Sequence, residues 1–174
     1  MMFGYACNDT KELLPTAMVI LQRFSKWYDE ERRKCQYLMS DGKAEITAYY
    51  DDKMKLRKIK YFTISYQNDE KHRDYTDNLI KEACLNICND YGIEVEEFLI
   101  NPTGRFEIGG FLGDSGLTGR KIVVDSYQSF AKVGGGAFSG KDPTKVDRSA
   151  AYKAREIAKQ YLKKYDLSWC EVVI

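Results

Sequence analysis

From Leu14 to Lys34 the apolar residues Ala17, Ile20, Leu21, Phe24 and Tyr28 return at intervals of three and four, with charges between them, which predicts an amphipathic helix. Ala44 to Tyr50 and Met54 to Ser65 are rich in Tyr, Ile, Thr and Phe on either side of Asp51-Asp52-Lys53, the pattern of two antiparallel strands joined by a short turn. Helical spacing resumes from Asp74 to Tyr91 through Leu79, Ala83, Ile87 and Tyr91, and Gly92 is a natural stop. Beyond it, Phe98 to Ile100, Phe106 to Ile108 and Ile122 to Val124 are short strand candidates set among turns that hold most of the glycines. Asp142-Pro143 has the form of a helix opening, with Val146, Ala150, Ala154, Ile157 and Tyr161 as the expected buried stripe. Ser168 to Ile174 reads as a final strand.

Composition narrows the function classes. The 174 residues, 44% of them hydrophobic, suffice for one ordinary domain or parts of two. Lys+Arg number 27 against 26 Asp+Glu, a net charge of +1, so no molecule-wide field draws the chain to nucleic acid or to an anionic membrane. The basic runs Arg32-Arg33-Lys34 and Lys53 to Lys60 are read as the wet faces of a helix and a strand. No apolar stretch approaches the ~20 residues that span a bilayer, and no leader pattern opens the chain, so a cytoplasmic location is expected. Cys7, Cys35, Cys84, Cys88 and Cys170 are odd in number and form no CxxC, which predicts free thiols rather than a disulfide framework. His72 is the single histidine, too little to complete a zinc site with Cys84 and Cys88.

The chemistry-bearing residues gather in the glycine-rich part. Gly134-Gly135-Gly136-Ala137-Phe138-Ser139-Gly140-Lys141 runs into the Pro-initiated helix, so free backbone N–H groups, a positive helix end and a lysine meet at one place. Gly135 and Gly140-Lys141 satisfy the G-x-x-x-x-G-K of a phosphate-binding loop, but Asp142 stands where that motif needs Ser or Thr for magnesium. Lys145 and Asp147 follow, and two cations with one carboxylate are the mixture a magnesium polyphosphate requires. By themselves these charges fit a solvated helix start more simply. Arg120-Lys121, behind Gly113-Asp114 and Thr118-Gly119, and Thr103-Gly104-Arg105-Phe106 are two further glycine-flanked basic groups. Arg presents a planar fork to phosphate, and Phe106 either stacks a base or fills the core; Asp114 either binds a ligand or caps a turn.

Taken in order, Asn101-Pro102-Thr103-Gly104-Arg105-Phe106, Gly113-Asp114, Thr118-Gly119-Arg120-Lys121, Gly134 to Asp142 and Thr144 to Tyr152 resemble the S-adenosylmethionine synthetase family, methionine adenosyltransferases, over some fifty residues. Weaker likeness extends to Met2-Phe3-Gly4-Tyr5-Ala6 and to Asp41-Gly42-Lys43. The resemblance implies an α+β fold of repeated units, each a mixed or antiparallel sheet covered by helices, here a central-type unit over 1–110 (helix, hairpin, helix, strand) and, over 111–174, a glycine-rich ATP and polyphosphate segment, a helix and the start of a further unit; the helices and strands read above agree with it. It implies attack of the methionine sulfur on the 5′ carbon of ATP, in S-adenosylmethionine biosynthesis and one-carbon metabolism, with Mg²⁺ and K⁺ as cofactors. Implied partners are ATP, L-methionine and a second copy (dimer or tetramer) or a complementary synthetase subunit.

By the same resemblance, Asp41, Arg105 and Phe106 hold the nucleoside end of ATP with backbone near Ala137. Lys43, Arg120, Lys121, Lys141 and Lys145 contact the phosphates and form the catalytic set; Asp114 belongs to the ATP site and meets the methionine ammonium, Lys145 also lies near methionine, and Asp147 binds magnesium. The chain departs from the family pattern at Gly109-Gly110-Phe111 (usually Gly-Gly-Pro), Tyr127-Gln128-Ser129 (Tyr-Gly-Gly), Val133 (often His), Met39-Ser40 (Arg-Pro) and Glu107 (usually apolar), so its loop shapes are expected to differ. Family members also carry an N-terminal Gly-His-Pro-Asp-Lys portion and a longer C-terminus. This chain, which contains no His-Pro-Asp, is therefore expected to show little activity alone; the alternative is a non-catalytic nucleotide-binding or subunit-interaction relative.

Overall fold

A computed structural model describes residues 1–174, in the order β1 (Phe3–Cys7), α1 (Thr16–Glu31), β2 (Leu38–Tyr50), β3 (Leu56–Asn68), α2 (Arg73–Asn89), β4 (Val95–Ile100), the single-turn α3 (Ile122–Asp125), α4 (Val146–Lys164) and β5 (Trp169–Val173). The fold is α+β. Two compact units divide the chain, Val19–Ser115 and Met1–Met18 with Gly116–Ile174. No helix is long and apolar enough to cross a membrane.

In the Val19–Ser115 unit, β2 runs antiparallel to β3 and β3 parallel to β4, a mixed three-stranded sheet. Its hairpin closes because Asp51 Oδ1 accepts the N–H groups of Lys53 (2.9 Å) and Lys55 (2.8 Å), capping a turn in which Met54 adopts a positive φ. Alternation along β3 sends Phe62, Ile64 and Tyr66 into the core, and a register shift between Ile59 and Tyr61 brings Ile59 to the same side. Phe24 of α1 meets the Phe62 ring edge-on at 5.9 Å, Tyr28 meets Tyr66 at 6.3 Å, and Phe98 of β4 stacks on Phe62 at 5.9 Å. Removing such a side chain from water contributes about 1.5–3 kcal/mol. The other face, with Lys43, Glu45, Thr47 and Tyr49 on β2, is exposed.

Thr76, Ile80, Ala83, Cys84, Ile87 and Cys88 form the buried side of α2. Just past its end the chain turns at Gly92, whose φ of 64° lets the Ile93 N–H reach back to the Cys88 carbonyl at 3.1 Å. None of the five cysteines forms a disulfide; Cys7, Cys84 and Cys88 are buried, and burial pushes the Cys88 thiol up to about 11. The buried Tyr66 hydroxyl lies 2.5 Å from Asp77 Oδ1 and 2.6 Å from Thr76 Oγ1, so its polar tip is satisfied. Asn101, just past β4, receives the Tyr66 N–H on Oδ1 (2.9 Å) and donates Nδ2 to the Tyr66 carbonyl (3.1 Å), extending the ladder with a side chain before the strand breaks off.

In the other unit β1 pairs antiparallel with β5, and α4 packs on β1 through Ala151, Ala154, Ala158 and Leu162. Small side chains on that face are needed because Gly4 rides against the helix backbone: a Cβ there would lie 2.1 Å from the Ala154 carbonyl carbon. Arg155 stitches the neighbouring chain in place, donating to the carbonyls of Tyr5 (2.5 Å), Leu13 (2.9 Å) and Glu12 (2.7 Å). Burial lowers the pKa of its guanidinium.

Three expectations are corrected. Phe106 to Ile108 is not a strand, although the Phe106 carbonyl accepts the Asn68 N–H at 3.0 Å. Its next contact to β3 comes from a side chain, Gln67 Nε2 to the Glu107 carbonyl at 2.9 Å, so no ladder propagates. Ile122 to Val124 is the helical turn α3 rather than a strand, because no strand edge pairs with it and its bonds close locally, Asp125 N–H to the Lys121 carbonyl at 3.0 Å. Helix α4 opens at Val146 instead of Asp142-Pro143: Asp142 Oδ1 turns onto the Thr144 N–H at 2.8 Å and Lys145 is still extended, with ψ 133°. With that start Val146 and Tyr161 lie 66% and 50% exposed, and of the expected stripe Ala154 alone is fully buried.

Candidate functional site

The candidate residues fall in both units. In Val19–Ser115, Asp41 and Lys43 lie on β2 rather than before it. Asp41 Oδ2 accepts the Gly110 N–H at 2.6 Å, and Gly109 approaches so closely that a Cβ would sit 2.9 Å from Asp41 Oδ2 and 2.5 Å from Gln67 Oε1. Gly110, at φ 62°, turns the chain into the 3-10 turn that ends at Leu112, after which the Asp114 N–H bonds the Gly110 carbonyl at 3.0 Å. Asp41, Gln67 and the Gly109-Gly110 backbone thus form one polar cluster.

Arg105 is held in an ion pair by Glu107, Phe106 between them is half-buried, and Asp114 is exposed. Lys43 pairs with Ser65 on the open face of the sheet, on the same side of β2 as Asp41. Phe111 and Leu112, in the stretch that departs from Gly-Gly-Pro, are 88% and 92% exposed.

In the other unit three segments converge. The turn carrying Arg120 and Lys121 lies beside the Gly134–Lys141 loop: Gly119, at φ 83°, leaves only 2.8 Å between a would-be Cβ and the Ala137 methyl, and Gly140 sits against Thr118. Gly136 lies against the Asp147 carboxylate, where a Cβ would come within 2.5 Å of Oδ1. Lys141 Nζ and Asp147 form an ion pair, so a cation and a carboxylate assigned to different ligand atoms neutralise each other here. Arg120, Lys121 and Lys145 are exposed. The Asp142 carboxyl, turned onto Thr144, is held below its ordinary pKa by the hydroxyl and backbone hydrogen bonds of that residue. Where the family has Tyr-Gly-Gly, Gln128 takes the left-handed conformation, φ 55°, that a glycine adopts without strain.

No group of three or more His, Cys, Asp or Glu side chains forms a ready metal cage. Asp147 offers one carboxylate, which the Lys141 ammonium occupies here. One carboxylate is within what Mg²⁺ takes from a protein when phosphate and water complete its shell, once that lysine has moved off.

Gln67, Glu107, Arg148 and Tyr152 also belong to these clusters, although none is among the residues expected to contact a ligand. Gln67 carries no signal, since its partner lies forty residues away. Arg148 and Tyr152 do carry one, an Arg and a Tyr four apart on the first turns of the helix behind the glycine loop.

Comparison with known proteins gives two family matches: S-adenosylmethionine synthetase, central domain, over residues 1–106, and S-adenosylmethionine synthetase, C-terminal domain, over residues 108–174. The S-adenosylmethionine synthase of Crocosphaera subtropica is 44% identical over 186 residues, covering 98% of this chain and 44% of that protein. The synthase of Synechocystis sp. is 42% identical over 189 residues, with 100% and 44% covered. For the synthase of Clostridium acetobutylicum the figures are 46% over 164 residues, with 91% and 42% covered. The chain spans 42–44% of the length of these relatives.

Proposed function

This chain belongs to the S-adenosylmethionine synthetase family, and from that premise we propose that it carries the polyphosphate-binding share of a methionine adenosyltransferase, which converts ATP, L-methionine and water to S-adenosylmethionine, phosphate and diphosphate. The observation that carries the reading is the convergence of the Thr118–Lys121 turn, the Gly134–Lys141 loop and the start of α4 around Lys141 and Asp147. The wider organisation belongs to the same proposal: a central-type unit over 1–110, a polyphosphate segment from 111, self-association or docking on a complementary synthetase subunit, and a cytoplasmic location.

The chemistry asks for cations and no general base. A thioether sulfur has a free lone pair and no proton to lose, so attack on the 5′ carbon of ATP leaves the protein one main task, stabilising the triphosphate as negative charge grows on its departing oxygen. Fixed Lys and Arg side chains aimed at that group favour the transition state over the ground state. In the unit with Gly116–Ile174, Arg120, Lys121, Lys141 and Lys145 take this role, the Ala137 backbone contacts a nucleoside and Lys145 also orients methionine; in the Val19–Ser115 unit, Lys43 contacts phosphate, Asp41, Arg105 and Phe106 hold a nucleoside and Asp114 meets methionine. Asp147 would hold Mg²⁺, which when bound spreads the charge of the phosphate oxygens and favours both transfer and triphosphate hydrolysis. Potassium belongs to the same proposal without an assigned ligand.

Because Lys141 is paired with Asp147, a triphosphate must draw the lysine away from the carboxylate. Binding of polyphosphate to Lys141 and of a cation to Asp147 should therefore reinforce each other. Calorimetric titration with inorganic tripolyphosphate, with and without Mg²⁺, tests the reading: expected is tight binding that strengthens with Mg²⁺ and weakens with salt. A folded chain that takes up neither tripolyphosphate nor ATP overturns it. The alternative of a non-catalytic relative draws on one observation, Glu107 neutralising the Arg105 guanidinium meant for the nucleoside end. ATP binding without S-adenosylmethionine, measured by mass spectrometry after adding the N-terminal part of a relative, would favour that alternative.

A further inference from the structure

Arg148 and Tyr152 take no direct part in the chemistry above, yet both contact the loop that is assigned to the phosphates. Arg148 Nη1 donates to the Lys141 carbonyl, and its Nε donates to the Tyr152 hydroxyl at 2.8 Å, with the guanidinium 5.5 Å from the Tyr152 ring centroid. The Tyr152 ring packs on Phe138, centroids 6.2 Å apart. Between these contacts the Lys141 N–H closes a turn onto the Phe138 carbonyl at 3.2 Å, with Gly140 at φ 77° as its corner. The two ends of one tight turn are thus each held by one member of an i,i+4 pair, with its base on a helix and its buried face elsewhere, at Ala151, Ala154, Ala158 and Leu162.

We propose that Arg148 and Tyr152 are positioning residues, a latch that fixes the Phe138–Lys141 turn through its backbone and so presents Lys141 to a polyphosphate. The proposal rests on the reading of this loop as a phosphate cradle and adds what holds the cradle in shape. Four glycines between Gly134 and Gly140 leave the segment with more conformations to lose than any other of its length in the chain. Ordering it on binding would weaken affinity, and a latch formed before the ligand arrives removes that cost. Arg148 directs its donors to a carbonyl and a phenol. Its planar fork reaches the two from different nitrogens, where lysine offers one nitrogen on a flexible stem.

Two measurements on the folded chain test this. In the ligand-free protein, hydrogen exchange of the Gly140 and Lys141 amides and tryptic cleavage after Lys141 should rise in R148M and rise less in Y152F, which keeps the ring on Phe138. Melting temperature should stay close to that of the unaltered chain, since the buried face of α4 is untouched. In calorimetry with inorganic tripolyphosphate at fixed Mg²⁺, R148M should bind roughly tenfold more weakly and R148K should recover part of the loss. In a K141M background the R148M change should cost almost nothing further, because Arg148 acts through Lys141.

Unchanged exchange and cleavage in R148M overturn the latch. So does an R148M loss that stays undiminished in K141M, which would make Arg148 an independent phosphate contact. Increased exchange together with no tripolyphosphate binding by the unaltered chain would uphold the latch and defeat the cradle reading, so the two failures are told apart. Should R148M not fold, Y152F and R148K carry the same comparisons.

Discussion

The stretch Leu38–Ile100 and the stretch Asn101–Lys145 are built by different forces. In the first, β2, β3, α2 and β4 follow one another with short connections, and Phe62, Ile64, Tyr66, Ile80 and Cys84 are almost wholly buried. In the second, Asn101 is the only buried residue; its two helical pieces are single turns, and its shape comes from glycine conformations, side chain-to-backbone hydrogen bonds and ion pairs such as Arg105–Glu107. Apolar burial is non-directional and sums over many contacts, so it makes stability. Polar contacts at fixed angles make geometry, and a site for a multiply charged ligand needs geometry more than it needs apolar area.

The sharpest test of this contrast is Phe62→Ala, which empties the ring sandwiched by Phe24 and Phe98 and should cost about 3–5 kcal/mol in a urea titration. A loss below about 1 kcal/mol would mean that the sheet is not where stability resides. Next comes Gly4→Ala, whose new methyl collides with helix backbone that cannot swing aside; a loss of about 1–3 kcal/mol is expected, read as a lower melting temperature. Gly109→Ala meets only the ends of Gln67 and Asp41, so it should cost about 1 kcal/mol of stability while displacing Asp41 from the Gly110 N–H. In that variant ATP affinity should fall while tripolyphosphate affinity holds, a split visible by calorimetry.

Smaller still is Glu107→Gln, which frees Arg105 from an exposed pair worth about 0–1 kcal/mol. ATP should bind a few-fold more tightly at low salt, with the gain vanishing at high salt; equal affinities would dismiss Glu107 as a competitor for that guanidinium. The smallest effect is acid sensitivity of the hairpin. Hydrogen bonds from Lys55, Arg57 and Lys53 hold the Asp51 carboxyl below its ordinary pKa. Its contribution is therefore complete above the usual carboxylate range and disappears as pH falls through the lowered folded value. Asp51→Asn should flatten the decline in stability between neutral pH and about pH 3.

Two helices, the hairpin and the last strand were legible because each buries one face, and burial writes a period of 3.6 or 2 into the string. Phe106–Ile108 and Ile122–Val124 carry the same β-branched and aromatic residues, yet neither became a strand. A strand needs a free edge in register, and Phe106 obtains one ladder bond before Gly109 and Gly110 turn the chain away. The stripe of α4 slipped for a related reason. Alanines at 151, 154 and 158 are a weak apolar signal beside Val146 and Tyr161, but Gly4 of β1 requires small residues there.

The string by itself determined the α+β class, the family and the identities of the charged and glycine residues of the candidate site, since these depend on residue type and order. Tertiary structure decided which charges meet: Lys141 with Asp147, Arg105 with Glu107, Asp41 with the Gly110 N–H, and Arg148 with the Lys141 carbonyl. Such pairings depend on distances of a few ångströms between atoms set by separate turns. A turn is fixed by where its neighbours pack, and no period along the chain records that.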